Sequence, residues 1–303
     1  MTQPLPRCSD AARSRGDDPA GTAAPAHRWL LIEHAGPWQR EALAASGIAP
    51  HVVEALTAAA TAGRGRILLI RRPGRALPGG LRSWAVADSA APGTSPVWGV
   101  WEHDRDLLDA VPFLRSGLPT DAGDASPDPV LLVCAHGRHD VCCAVRGRPV
   151  AAALQERWPG QTWECSHVGG DRFAANLVVL PDGVFYGNLD AASAVGVVDA
   201  HRRGATDVEH LRGLSTEAPL GQVAVAAALA RYAPAPARAF STTSVKALAP
   251  HRWRVHLTGT GHLPDLDVVV VTSARPPARL TCAALRDTAA MAYEVESIDP
   301  STG

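Results

Sequence analysis

The stretch Pro129-Val-Leu-Leu-Val-Cys134, which continues as Ala-His-Gly-Arg-His-Asp-Val-Cys-Cys to Cys143, decides the expected fold. Its apolar run predicts a buried β-strand that ends at Cys134, and the polar residues that follow predict a loop. A helix is expected from about Ala144 to Trp158, with Pro149 early in it, where proline is tolerated. A cysteine at the end of a strand and another at the start of a helix can converge on one point.

The residues after this helix continue the alternation of strands and helices. Residues 161–165 predict a short strand, residues 177–186 a hairpin with an Asp-Gly turn, and residues 192–202 a helix. The order strand, helix, strand, hairpin, helix is typical of a thioredoxin-like domain. We therefore expect an α/β protein with such a domain at residues 129–205.

The rest of the chain divides at changes in composition. Residues 1–27 are small and polar and are expected to be disordered. Residues 28–115 alternate between strand-like and helical patterns, which predicts an N-terminal α/β domain. Residues 116–128, rich in Gly, Pro, Asp and Ser, predict a linker. Residues 206–303 predict a helix and a small β-rich C-terminal extension.

The bulk composition argues against several classes of partner. The formal net charge of −1 gives no electrostatic reason to expect nucleic acid or an anionic membrane as a partner. No apolar run approaches the roughly 20 residues that span a bilayer, and the polar N-terminus does not resemble a secretory signal. We therefore expect a cytoplasmic protein. In that compartment its six cysteines indicate metal or redox chemistry more than disulfides.

A second motif, Trp163-Glu-Cys-Ser-His-Val-Gly-Gly-Asp-Arg-Phe173, carries further candidate ligands. Cys165 and His167 are two residues apart in extended chain, so both side chains point to the same side. The glycine pair after them lets the backbone pass close to a bulky inorganic group. The N-terminus of the preceding helix favours a thiolate at Cys143. Cys142 is a weaker candidate, because adjacent cysteines rarely point at one metal, and His139 is interpreted as a supporting or surface residue.

The two motifs resemble those of the sucrase/ferredoxin-like family. The matching parts are Cys134-x8-Cys143, with His136-Gly137 and Asp140 inside it, and His167-Val-Gly-Gly-Asp-Arg-Phe173, followed by Asn176. The resemblance runs from the strand at residues 29–33 to about residue 200. It implies a thioredoxin-like ferredoxin domain and a [2Fe–2S] cluster held by two cysteines spaced C-x8-C and two histidines spaced H-x3-H. Carried over, the family pattern makes Cys134, Cys143 and His167 cluster ligands.

The fourth ligand is where the chain departs from the family pattern, because Asp171 stands four residues after His167 in place of histidine. Cys165 is the first alternative, since thiolate is the preferred ligand of iron–sulfur clusters. Asp171 is the second, because ferric iron accepts carboxylate oxygen. The third is that the cluster is absent.

The function expected from these residues is electron transfer to or from an unknown redox partner protein, as a carrier more than as a catalyst. The alternative is a binding or regulatory module on a thioredoxin-like scaffold that holds zinc or no metal. Three or four Cys and His ligands suit tetrahedral zinc, although the chain has no C-x2-C pair, which most structural zinc sites have. The missing C-x2-C pair also argues against a thiol–disulfide oxidoreductase.

Overall fold

Two β-sheets organise the protein in a computed structural model that describes residues 6–74, 81–91, 93–119 and 128–301. A mixed sheet has nine strands and a second, antiparallel sheet has four. This architecture confirms the expected mixed α/β class and the β-rich C-terminal extension. Most of the predicted linker, at residues 120–127, lies outside the described residues.

The nine-stranded sheet contains the candidate ligand motifs near its centre. Its strands are β1 (Arg28–Glu33), β2 (Arg66–Arg71), β3 (Arg82–Asp88), β4 (Val97–Trp101), β5 (Val130–Cys134), β6 (Thr162–Cys165), β7 (Leu177–Leu180), β8 (Val184–Tyr186) and β9 (Leu211–Leu214). They are arranged in the order β4-β3-β1-β2-β6-β5-β7-β8-β9. Every residue of β5 is buried, which accounts for its unbroken apolar run.

The helices lie between and after these strands. They are α1 (Cys8–Ser14), α2 (Pro50–Ala62), α3 (Val111–Ser116), α4 (Val141–Arg157), α5 (Ala191–Arg202) and α6 (Pro219–Arg231). Short 3-10 helices span Asp104–Ala110 and Asp171–Phe173. The four-stranded sheet follows with β10 (Phe240–Ala249), β11 (Arg252–Gly259), β12 (Leu266–Ala274) and β13 (Met291–Pro300).

Strands from both predicted α/β units join in the same sheet. β5 pairs with β6 in parallel and with β7 antiparallel. β2 pairs antiparallel with β6 through Ile70 opposite Cys165 and Arg71 opposite Glu164. The sheet therefore continues from residues 28–115 into residues 129–205, and the parallel β5–β6 pairing positions the ends of β5 and β6 next to each other.

The helix after β5 begins earlier than predicted, at Val141 instead of about Ala144. Asp140 caps it, since its carboxylate accepts a hydrogen bond from the Cys142 backbone N–H at 2.8 Å. Pro149 consequently lies inside the helix and not in its first turn. The earlier start places Cys142 and Cys143 in that first turn.

The prediction that residues 1–27 are disordered is wrong for the part from residue 6 onward. α1 forms at Cys8–Ser14, and the following segment pairs with the sheet region. The Gly21 N–H donates to the Arg212 carbonyl at 3.0 Å, and the Ala26 N–H donates to the Ser215 carbonyl at 2.9 Å. The low hydrophobicity of this segment is offset by such hydrogen bonds and by its small alanines, which fit into the buried interior.

Candidate metal centre

Three predicted ligands converge at the end of the central strands. Cys134 ends β5, Cys143 lies in the first turn of α4, and His167 follows β6. Their sulfur and ring-nitrogen atoms all lie within 4.8 Å of one another. Both cysteines are buried, and the His167 side chain is 22% exposed. The structure therefore brings two thiols and one imidazole to a single point near the surface.

The local backbone explains why these side chains meet. In the parallel pair β5–β6, Cys134 is opposite Cys165, so both strands end at one edge of the sheet. The chain then turns through Gly169 and Gly170, whose φ angles of +92° and +78° favour glycine. A Cβ atom at Gly170 would lie 2.3 Å from Nη2 of the buried Arg212 side chain. Backbone conformation therefore favours glycine at both positions, and lack of space also requires it at Gly170.

Asp171 lies directly beside two of the three ligands. The Cys143 thiol donates to Asp171 Oδ1 at 3.3 Å, and His167 Nδ1 is 3.1 Å from the same oxygen. The aspartate side chain is only 3% exposed. At the position where the resemblance implies a second histidine, the chain therefore has a carboxylate oxygen close to two of the three candidate ligands.

His139, interpreted from the sequence as a supporting or surface residue, lies close enough to be a candidate ligand. Its ring stacks on that of His167 with centroids 3.6 Å apart and planes inclined by 17°. Ligand atoms of His139, His167 and Asp171 lie within 4.8 Å of one another. The only available signal was its position within the polar loop between Cys134 and Cys143.

Cys165 is buried in an apolar cluster that also contains Trp163 and Val168. Within the described ranges, its sulfur is in none of the groups of three or more close metal-ligand atoms. Burial raises the pKa of the Cys165 thiol, with a further contribution from the charge of Cys134. The identity of the fourth ligand stays a prediction.

The charges in the group favour one preformed thiolate. The neighbouring Cys143 thiol holds the pKa of Cys134 well below its usual range in spite of burial, and His167 adds to this effect. The neighbouring Cys134 raises the pKa of the Cys143 thiol, and burial adds to this. Burial disfavours a charged His167, but its hydrogen bond with Cys134 and the charge of Asp171 raise its pKa overall. Burial raises the pKa of Asp171.

The donor set fits a metal or an iron–sulfur cluster. Although His167 Nδ1 is close to Asp171, this buried nitrogen has no partner with hydrogen-bond geometry among the described residues. Buried polar atoms are normally paired, so an orphaned imidazole nitrogen beside a thiolate is suited to coordinate a metal. Thiolate and imidazole are both ligands of zinc and of [2Fe–2S] clusters.

Cys142 and Cys143 are adjacent in sequence but belong to different groups. Cys143 contacts Asp171, whereas Cys142 accepts a hydrogen bond from the Cys8 thiol at 3.6 Å and lies 3.3 Å from Cys282 Sγ. The hydrogen bond from Cys8 lowers the pKa of the Cys142 thiol to about 6 in spite of burial. The two adjacent thiols therefore lie in different groups, and the partners of Cys142 were not predicted from the sequence.

No helix in the described ranges combines the length and apolar character needed to cross a membrane.

Among curated proteins, the chain is similar to Altered inheritance of mitochondria protein 32 from Meyerozyma guilliermondii, with 35% identity over 82 residues. The match covers 24% of this chain and 29% of that relative's length. No solved structure matches the chain significantly.

The family comparison covers both ligand motifs. The family model described as sucrase/ferredoxin-like matches residues 19–213, which is more than half of the chain and includes Cys134, Cys143 and His167. The protein therefore belongs to the sucrase/ferredoxin-like family.

Proposed function

We propose that the protein binds a [2Fe–2S] cluster and transfers electrons to or from a partner protein. The observation that carries the proposal is the convergence of Cys134, Cys143 and His167 within 4.8 Å in a member of this family. When bound, such a cluster supplies one-electron redox chemistry. The role is that of a carrier in the cytosol, where reducing conditions keep the ligand thiols free.

The proposed ligands are divided between the two irons. Cys134 and Cys143 hold one iron, and His167 holds the other together with a fourth residue. We choose Asp171 as this residue because its carboxylate contacts both Cys143 and His167. Cys165 is the alternative, since its thiolate would be the stronger ligand type.

The order of elements supports a thioredoxin-like domain as the scaffold. β5, α4 and β6 form a strand–helix–strand unit, and the β7–β8 hairpin and α5 follow it. In this arrangement Cys134 and Cys143 lie on elements that pack against each other. The ligands are then positioned by rigid secondary structure, as a redox site requires.

Two arginines donate hydrogen bonds to the backbone of residues 167–169. Arg66 donates to the carbonyls of His167 and Val168 at 3.3 and 3.2 Å, and Arg212 donates to the Gly169 carbonyl at 2.9 Å. Arg212 is buried and Arg66 is half-buried, so water screens their positive charge less than it would at exposed residues. Positive charge favours an added electron, and together with histidine ligation it predicts a reduction potential above that of all-cysteine clusters.

A redox titration at several pH values tests this function. Histidine is the ligand that titrates near neutrality, so the midpoint potential should fall as the pH rises from about 6 to about 9. The measurement follows the reversible bleaching of cluster absorbance in purified, anaerobic protein. A midpoint potential that does not change over this range would rule out histidine ligation, and the lack of a reversible step would rule out electron transfer.

Two variants assign the fourth ligand. Asp171→Ala and Cys165→Ser each change one buried residue of the same motif, so each serves as the control for the other. We expect Asp171→Ala to lose the cluster or change its absorbance spectrum, and Cys165→Ser to keep both unchanged. The opposite result would make Cys165 the ligand. If both variants keep the wild-type spectrum, His139→Ala becomes the decisive substitution, because His139 is another candidate ligand close to His167.

A further inference from the structure

Three further cysteines, none of them in the proposed cluster site, come together from distant parts of the chain. Cys8 begins α1, Cys142 lies in the first turn of α4, and Cys282 lies between β12 and β13. The Sγ–Sγ distances are 3.6 Å for Cys8–Cys142, 3.3 Å for Cys142–Cys282 and 3.5 Å for Cys282–Cys8. Sequence separations of 134, 140 and 274 residues show that the triangle is produced by the tertiary fold.

The size of this triangle suits a single metal ion. A disulfide has sulfurs about 2.05 Å apart, and any disulfide among three cysteines leaves one unpaired. Four ligands at about 2.3 Å in tetrahedral geometry place their sulfurs roughly 3.8 Å apart. The observed distances are close to this value, with each sulfur in contact with the other two.

Asp140 supplies a fourth ligand atom. Its carboxylate oxygens lie 3.8 and 3.9 Å from Cys8 Sγ, and the residue is 2% exposed. Backbone N–H groups of Cys142 and Cys282 donate to it at 2.8 and 2.6 Å, which fixes its orientation. Ligand atoms of all four residues lie within 4.8 Å of one another.

Hydrogen bonds to the sulfurs complete the surroundings of the group. Ser9 Oγ donates to Cys142 Sγ at 3.3 Å, and the Cys8 backbone N–H donates to Cys282 Sγ at 3.4 Å. Such bonds stabilise thiolates and orient metal ligands. Cys8 and Cys142 are fully buried and Cys282 is half-buried, so most of the group is shielded from water, as structural metal sites are.

We propose that Cys8, Cys142 and Cys282, with Asp140 as the fourth ligand, bind one structural Zn²⁺ ion. Three thiolates and one carboxylate give a soft, tetrahedral donor set that zinc prefers over Ca²⁺ or Mg²⁺. The ion joins α1 and the β12–β13 connection to the start of α4. Because Cys143 follows Cys142 in that first turn, the zinc site also supports one ligand of the proposed cluster, while remaining a separate centre.

Metal analysis of variants tests the proposal. Zinc and iron are measured by mass spectrometry in the full chain purified under reducing conditions, for wild type, Cys8→Ser and Cys282→Ser. Cys165→Ser is the matched control, since it is a buried cysteine outside the triangle. We expect about one zinc per chain in wild type and control, and a fall of at least about tenfold in the two triangle variants. The double variant Cys134→Ser/Cys143→Ser should lose iron and keep its zinc, which separates failure of this proposal from failure of the cluster.

A measurement on the wild-type chain keeps the proposal testable if the variants do not fold. Protein stripped of metal by a chelator is titrated with Zn²⁺ against a chromophoric competitor, and thiol alkylation is mapped by mass spectrometry. Zinc should bind with one-to-one stoichiometry and protect Cys8, Cys142 and Cys282 from alkylation. The proposal is wrong if zinc does not bind, if bound zinc leaves these thiols as reactive as before, or if zinc content is unchanged in Cys8→Ser and Cys282→Ser.

Discussion

Substitution of Gly147 by alanine tests how α4 positions the cluster ligands. Gly147 is buried within α4, and a Cβ atom there would lie 2.1 Å from the backbone oxygen of Cys134 and 3.1 Å from its carbonyl carbon. Ordinary contact begins near 3.4 Å, so α4 and β5 would have to separate by about 1.3 Å locally. A backbone atom cannot move aside as a flexible side chain can.

The change in the free energy of unfolding expected for Gly147→Ala is the balance of two effects. Alanine is favoured over glycine within a helix by roughly 0.5–1 kcal/mol, whereas overpacking a buried contact costs typically about 1–3 kcal/mol. The severe overlap with Cys134 puts the overpacking cost at its upper end, about 3 kcal/mol, so we expect Gly147→Ala to be destabilised by about 2–2.5 kcal/mol once the helix gain is subtracted. Because Cys143 lies on the displaced helix and Cys134 on the strand, cluster content should fall as well.

The assay compares Gly147→Ala with Gly196→Ala by urea unfolding and by iron content. Gly196 lies in α5, is exposed, and has no atom within 4 Å of a Cβ placed there. The free energy of unfolding of Gly196→Ala should therefore rise by about 0.5–1 kcal/mol, and its iron content should not change. If Gly147→Ala proved as stable as Gly196→Ala and bound the same amount of iron, close packing of α4 on Cys134 would not be what positions the ligands.

Three further predictions concern Arg212, Gly170 and Asp182. Arg212→Met removes the donor to two backbone carbonyls and an asparagine side chain, so the free energy of unfolding in urea should fall by about 3 kcal/mol. Arg252→Met, at an exposed ion pair, is the control and should lower it by less than about 1 kcal/mol. Equal losses of stability in the two variants would contradict this. Gly170→Ala should lower the free energy of unfolding by more than about 1 kcal/mol, because alanine is strained at a φ of +78° and its Cβ atom would overlap the Arg212 side chain. An unchanged unfolding midpoint would show that the turn does not require glycine. Burial raises the pKa of Asp182, but its hydrogen bond with His201 lowers it overall, so its contribution to stability is present above its unfolded pKa of about 3.9. The advantage of wild type over Asp182→Asn should then shrink as the pH falls below about 4, and a constant difference from neutral pH to about pH 3 would contradict that assignment.

The amino-acid sequence was sufficient to predict the elements that depend on a short, local pattern of residues. The apolar run before Cys134 identifies a buried strand because β5 is covered on both faces. The same reasoning places Cys143 at the start of a helix, although Asp140 moves that start three residues earlier than predicted. Side chains at the ends of adjacent elements can be placed from such patterns, because the chain between them is short.

The second cysteine group could not be predicted, because it depends on contacts between remote segments. Cys8 lies in a segment whose low hydrophobicity is typical of disorder, and Cys282 lies in a connection without regular secondary structure. Their meeting with Cys142 requires the N-terminal segment to pack beside the β12–β13 connection. Arg275 contributes to this packing by donating to the carbonyls of Arg15 and Gly16 at 3.0 and 3.3 Å. No spacing pattern in the sequence encodes that contact.

The most direct test of the cluster assignment is the iron and acid-labile sulfide content of the full chain. The protein is expressed with ample iron, purified without oxygen, and compared with Cys134→Ser and Cys143→Ser. We predict about two irons and two sulfides per wild-type chain, with visible absorbance, and loss of both in either variant. A colourless wild-type protein without iron or sulfide, in repeated preparations and after chemical reconstitution, would contradict the assignment.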